Sequence, residues 1–151
     1  MTDLNNVDEI LDFAITEEQA AVDFYTNLAG LVKAPAMKEV FEQFANEERG
    51  HKAKLQRVKA GKKLATSRAA VQDLKISDYV VSEEPRGDID YAGALVLAMK
   101  KEKAAFRLYT DLAARTDEPA IKDLLLGLAE EEARHKLRFE VEYDDYVLRE
   151  N

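Results

Sequence analysis

The chain contains two histidines, and each stands three residues after a glutamate, in Glu48-Arg49-Gly50-His51 and in Glu132-Ala133-Arg134-His135. Positions i and i+3 of a helix share a face, so either motif offers a carboxylate oxygen and an imidazole nitrogen to the same point. There is no cysteine. Disulfides, zinc fingers, iron–sulfur clusters and thiol nucleophiles are thereby excluded, and any metal must be held by oxygen and imidazole. A lone Glu-x-x-His is ordinarily a surface pair. Here the two motifs lie 84 residues apart, and the same shift superimposes Glu18 on Glu102, Tyr25 on Tyr109, Leu28-Ala29 on Leu112-Ala113 and Pro35-Ala36 on Pro119-Ala120. Over the 35 positions from Glu18 to Lys52, 15 are identical to their partners. Tyr, Pro and His are not generic helix filler, so the match marks a duplicated unit rather than convergence of Ala-, Glu- and Lys-rich helices.

The elements that must position these residues are helices. Pro and Gly are sparse, and the long segments are rich in Ala, Leu, Glu and Lys, which favours an all-α fold. A first helix follows Asn6, whose side chain can cap it while Glu9 completes a capping box, and runs to about Gly30. A second begins near Pro35 and ends near Gly61. A third starts after Asp88 or Asp90 and runs to about Arg115, and a fourth runs from near Pro119 almost to the C-terminus. Two short connections make two antiparallel hairpins, about 7–61 and 89–149. Residues 62–88 read as a long crossover along the bundle, with room for a short helix around Gln72 to Tyr79.

Each helix has an apolar stripe interrupted by acid. The second carries Met37, Phe41, Phe44, Glu48, His51, Leu55 and Val58 in steps of four and three, and the fourth carries Ile121, Leu125, Leu128, Glu132, His135 and Phe139. The first runs Leu11, Ala14, Glu18, Ala21, Tyr25, Leu28, Val32, and the third Leu95, Ala98, Glu102, Ala105, Tyr109, Leu112. From Glu18 to Glu48, and from Glu102 to Glu132, the chain advances 30 residues. About twelve residues up at about 1.5 Å each, a short loop, and about twelve down return it to the same level. Four carboxylates and two imidazoles then share one layer of an apolar interior.

Unpartnered, each ionised carboxylate there would lose several kcal/mol of solvation and repel the others. No Lys or Arg lies on the inner stripes at that level, which leaves divalent cations as compensation, two of them for four carboxylates. Oxygen and imidazole with open positions suit iron, manganese or zinc better than calcium or magnesium. The candidate ligands are Glu18, Glu48, His51, Glu102, Glu132 and His135. Tyr25 and Tyr109 lie two turns beyond Glu18 and Glu102 on the same face, so each hydroxyl either reaches a ligand carboxylate or is core with a hydrogen-bonded tip. Glu47 and Glu131 sit one position round the helix and read as solvated.

The formal charge of −8 opposes a nucleic-acid surface, because Lys and Arg are interleaved with acids. The opening Met-Thr-Asp-Leu-Asn-Asn is polar, and no stretch approaches bilayer-spanning length, so a soluble, cytoplasmic protein with no membrane partner is expected.

One Glu from each of two helices and Glu-x-x-His from each of the other two is the pattern of di-iron and di-manganese carboxylate bundles. In Glu18 with Tyr25, Glu48-Arg49-Gly50-His51, Glu102 with Tyr109, and Glu132-Ala133-Arg134-His135, the sequence resembles the ferritin-like superfamily, and within it the rubrerythrin family more than ferritins proper. The resemblance covers nearly the whole chain and implies one ferritin-like four-helix domain over 1–151. It implies that Glu18 and Glu102 are terminal ligands, that Glu48 and Glu132 bridge two irons, and that His51 and His135 each take one. It further implies reduction of peroxide or oxygen, or oxidation of ferrous iron in a ferroxidase or storage role. Ala105 stands where rubrerythrins usually carry a further Glu, so their ligand-exchange step is not carried over. The four-Cys rubredoxin-like domain of that family is lacking, which implies a separate electron donor such as a rubredoxin. Arg49 replaces the haem-binding Met of bacterioferritin, so no haem is expected. A homodimer or higher homo-oligomer is the expected assembly.

Overall fold

In a computed structural model, residues 3–4, 7–61, 74–75, 85 and 87–150 are described. They comprise β1 (Asp3–Leu4), α1 (Val7–Leu31), α2 (Pro35–Gly61), β2 (Leu74–Lys75), α3 (Tyr91–Ala114) and α4 (Pro119–Glu150). The four long helices match the sequence expectation to within a residue or two at each end. Pro35 and Pro119 each open a helix, where a missing N–H costs nothing. Asp90 caps α3 by accepting a 2.7 Å hydrogen bond from the Gly93 amide. At the close of α1, the Lys38 ammonium donates to the Ala29 carbonyl at 3.0 Å, satisfying one of the acceptors that a helix end leaves open. The proposed Asn6 cap lies outside the described residues.

α1 packs along α2 and α3 along α4, as the two short connections require. Two apolar clusters fill the interior. One is largely aliphatic, built from Ile10, Leu11, Ala14, Leu55, Leu108, Leu112, Ile121, Leu125 and Leu128. The other is aromatic, with Phe24, Tyr25, Phe41, Phe44, Tyr91 and Phe139. On every helix the candidate ligands fall between the segments that supply the two clusters, so the polar layer is sealed above and below. The order of the clusters also gives direction: α1 and α4 run from the aliphatic end to the aromatic end, and α2 and α3 run back. The end of α2 and the start of α3 therefore lie at opposite ends of the bundle, and residues 62–88 connect them.

One expectation fails in that connection. Leu74 and Lys75 are extended, not helical, and pair antiparallel with Leu4 and Asp3 respectively. Backbone pairing with a distant segment outweighs whatever local helical preference the stretch has. The remainder of Gln72 to Tyr79 lies outside the described residues.

Phe139 is fully buried and stacks on Phe44 at 4.1 Å between ring centroids. Phe139→Ala is expected to cost about 3–5 kcal/mol of unfolding free energy in urea titration. Leu148→Ala, at a side chain that is 74% exposed, is expected to stay within about 0.5 kcal/mol of the parent.

Candidate metal centre

Glu18 from α1, Glu48 and His51 from α2, Glu102 from α3, and Glu132 and His135 from α4 are all buried. The helical stripes aim them inward, and the hairpin counting places them level. One ligand atom from each of Glu48, His51, Glu132 and His135 lies within 4.8 Å of the other three. The remaining two complete the layer, Glu18 Oε2 at 3.5 Å from His51 Nδ1 and Glu102 Oε1 at 3.6 Å from His135 Nδ1. The two imidazole planes are stacked, tilted by 9° with centroids 5.6 Å apart.

The distances sort the carboxylates into two kinds. Glu48 Oε1 is 3.2 Å from His51 Nδ1 and 3.3 Å from His135 Nδ1, and Glu132 Oε1 is 3.3 Å from both. These two stand between the imidazoles. Of the two imidazoles, Glu18 lies against His51 and Glu102 against His135, so each hairpin holds one end of the layer.

Among the described residues, seven buried side-chain polar atoms lack a hydrogen-bond partner: Arg115 Nε, and one atom from each of the six candidate ligands. Those six are Glu18 Oε1, Glu48 Oε1, His51 Nδ1, Glu102 Oε2, Glu132 Oε1 and His135 Nδ1. The close atoms are not aligned to bond with one another. An unsatisfied buried donor or acceptor costs about 1–3 kcal/mol, and four of these atoms, Glu48 Oε1, His51 Nδ1, Glu132 Oε1 and His135 Nδ1, face one another as a donor set for cations, oxygen and imidazole together. The residues present fit a pair of metal ions.

Without metal, the layer lowers its charge by holding protons. Burial, reinforced by repulsion from Glu48, pushes the Glu18 carboxyl up to about 8. Burial, then repulsion from Glu132 and Glu48, pushes Glu102 well above the usual carboxylate range. For the imidazoles, burial pulls the other way but is overridden by the surrounding carboxylates. Contacts with Glu102, Glu132 and Glu48 raise His135 to about 12, and contacts with Glu132, Glu18 and Glu48 likewise raise His51. Among the described residues no Lys or Arg is buried, so no fixed cation does this work.

Both tyrosines bond to carboxylates, and each bond crosses between hairpins. The Tyr109 hydroxyl donates to Glu18 Oε2 at 2.5 Å, and the Tyr25 hydroxyl donates to Glu102 Oε1. Burial, reinforced by these carboxylates, pushes both phenols well above their ordinary range, so they hold their protons and act as fixed donors. Sequence reasoning missed one pair of neighbours. Glu47 and Glu131 are not simply solvated: Glu47 Oε1 lies 3.2 Å from His135 Nε2, and Glu131 Oε1 lies 3.4 Å from His51 Nε2. The repeat held a signal for them, since Lys54 and Arg138 are related by the same 84-residue shift and bring cations to Glu131 and Glu47.

The rubrerythrin family model matches residues 9–143. The chain belongs to the rubrerythrin family. Among solved structures it is similar to a hypothetical protein from Pyrococcus furiosus, with 27% identity and a TM-score of 0.67 over 91% of this chain and 87% of that one. It is also similar to a protein from Thermotoga maritima described as a ferritin-like diiron-carboxylate protein, with 18% identity and a TM-score of 0.79 over 97% and 99%. The latter likeness carries the ferritin-like fold. Among proteins of curated function none is significantly similar. No described helix of this rubrerythrin-family chain is long and apolar enough to cross a membrane.

A pH dependence follows. Glu18 and Glu102 bind protons more tightly folded than unfolded, so the metal-free fold loses stability as pH rises above about 4.5, through about 8 for Glu18 and onward for Glu102. The raised imidazoles act in the same direction: their contribution is full below about 6.5 and is lost towards about 12. Thermal unfolding of metal-free protein is expected to show Tm falling over this range. Added Mn2+ is expected to raise Tm more at higher pH, because binding must displace those protons. A Tm that rises with pH in the metal-free protein would contradict the assignment.

Proposed function

We propose that the chain is a di-iron oxidoreductase that reduces peroxide or oxygen with electrons from a separate donor protein. The observation that carries this reading is the convergence of Glu48, His51, Glu132 and His135, flanked by buried Glu18 and Glu102, each of the six with an unpartnered atom, in a layer closed by apolar clusters. In this reading Glu18 and His51 would hold one iron, Glu102 and His135 would hold the other, and Glu48 and Glu132 would be shared by both. The short distances from both bridging carboxylates to both imidazoles support that division. When bound, the irons supply two electrons, one each, at open coordination positions.

The chain's own residues do the rest. The apolar clusters exclude bulk water, and Tyr25 and Tyr109 fix the orientation of Glu102 and Glu18. Peroxide reduction consumes two electrons and two protons and yields two waters. Those protons must enter from outside the ligand set, because binding metal displaces the ones that Glu18 and Glu102 hold in the metal-free layer. A ferroxidase or storage role is the second reading. It is favoured by the methyl of Ala105, one turn beyond Glu102, which offers no further carboxylate to the layer. Leu126, Leu137, Val141 and Leu148, exposed along one face of α4, support pairing of two copies. A cytoplasmic setting belongs to the same proposal.

Anaerobically purified protein carrying about two irons is expected to consume peroxide without turnover of added ferrous iron; peroxide reduction strictly dependent on added ferrous iron would favour the second reading. Glu48→Ala is expected to abolish tight binding of both metals, measured by metal analysis after desalting. Retention of two metals in that variant would refute the bridging assignment.

A further inference from the structure

The 84-residue repeat preserves the buried layer but not what packs around it. Tyr25 maps onto Tyr109, yet Phe41, Tyr91 and Phe139 of the aromatic cluster map onto Leu125, Val7 and Leu55. Rings are thus gathered at one end of the bundle, the end whose tyrosine bonds to Glu102. From that tyrosine they run outwards in contact. Tyr25 stacks on Phe41 at 6.4 Å between centroids with the planes 12° apart, Phe41 meets Tyr91 edge-on at 5.8 Å, and Tyr91 meets Tyr146 edge-on at 5.2 Å. Tyr91 is buried, whereas Tyr146 is half-buried and lines a surface cavity of about 420 Å3 with Met37, Val40, Glu142 and Arg149. Tyr109 sits in the aliphatic cluster and starts no such path.

The chain has no Trp and no Cys, so tyrosine is its side chain most readily oxidised by one electron. An oxidised phenol is a strong acid and gives its proton to the base it touches. Tyr91 has such a base, because its hydroxyl donates to Glu142 Oε1 at 2.8 Å. Burial, reinforced by that carboxylate, pushes the Tyr91 phenol above its ordinary range, so the proton stays on the ring until the electron leaves. We infer that Tyr91 and Tyr146 carry electrons between the surface cavity and the buried layer, with Glu142 taking the Tyr91 proton. Phe41 is harder to oxidise and serves as the packed bridge to Tyr25. The inference rests on the di-iron reading and goes beyond it, since it gives a role to residues remote from the layer.

Peroxide takes two electrons and two protons and leaves as two waters. When the layer holds only one electron, the second comes from Tyr91. The ring loses one electron towards the layer, its O–H bond breaks and the proton passes to Glu142, leaving a neutral phenoxyl radical beside a carboxylic acid; the two protons in the waters come from solvent. Tyr146 then gives one electron to Tyr91, which recovers the proton held on Glu142, and loses its own phenolic proton to solvent. The oxidising equivalent thereby reaches the cavity, where a one-electron reductant such as ascorbate, with a proton from solvent, restores the phenol. The path carries oxidising equivalents out of a layer that is short of electrons before they damage the core.

Protein loaded anaerobically with two ferrous irons, brought to one electron per layer with ferricyanide and mixed with one equivalent of peroxide, tests this. Freeze-quenched wild type is expected to show a tyrosyl radical by electron paramagnetic resonance, its signal narrowed by ring-deuterated tyrosine. A nitroso spin trap is expected to label Tyr146, located by mass spectrometry. Tyr91→Phe keeps the ring and its packing but removes the hydroxyl; it is expected to bind iron as wild type does and to lose the Tyr146 label. Glu142→Gln, which accepts the hydrogen bond but not the proton, is expected to lower the radical yield, and Glu142→Asp to restore part of it. Tyr143→Phe, on the same helix but outside the chain of ring contacts, is expected to move neither readout. An undiminished Tyr146 label in Tyr91→Phe, with or without a change in Tm, would overturn the relay and leave the di-iron reading intact. Wild type that holds two irons and consumes peroxide without a tyrosyl radical would do the same. Wild type that binds no iron would overturn both.

Discussion

The structure depends on the cost of four carboxylates in one dry layer. Each is buried, and an unpaired ionised carboxylate in such surroundings loses several kcal/mol of solvation and repels its neighbours. Two responses are built from the same residues. Metal-free, the layer keeps protons on Glu18 and Glu102 and on both imidazoles. Given divalent cations, as the proposed function has it, the same residues would become ligands and release those protons. The acidity that makes the interior costly on its own is what would draw cations into it.

Duplication explains how the layer is held. Each hairpin brings a Glu and a Glu-x-x-His to one level, but the outer contacts of these groups come from the other hairpin. Tyr25 reaches Glu102 and Tyr109 reaches Glu18; Glu47 reaches His135 and Glu131 reaches His51. All four contacts cross between hairpins. Assembly of the layer is therefore coupled to docking of the two halves, and the apolar clusters on either side lock the docked state.

Much of this was legible in the residues because the helical period is strict. Steps of three and four placed Glu18, Glu48, His51, Glu102, Glu132 and His135 on inner faces, and equal 30-residue separations placed them at one height. Periodicity fixes the face of a side chain but not its neighbour across the bundle, so the crossing of Tyr25 and Tyr109 to the opposite hairpin was not readable. Glu47 and Glu131 escaped for a related reason. One step round the helix points a short side chain to the rim, yet a glutamate's length bends it back to the outer nitrogen of a facing imidazole. Leu74 and Lys75 were misjudged because a strand made by pairing with Asp3–Leu4 leaves little trace in its own sequence.

On the di-iron reading, six side chains from both hairpins surround two cations. Anomalous diffraction at the iron edge, from crystals of protein loaded anaerobically with ferrous iron, tests it most directly. Two iron peaks should appear in the buried layer, one beside Glu18 and His51 and one beside Glu102 and His135, with Glu48 and Glu132 between them. Iron found only at surface acids, with the buried layer holding none, would contradict the account.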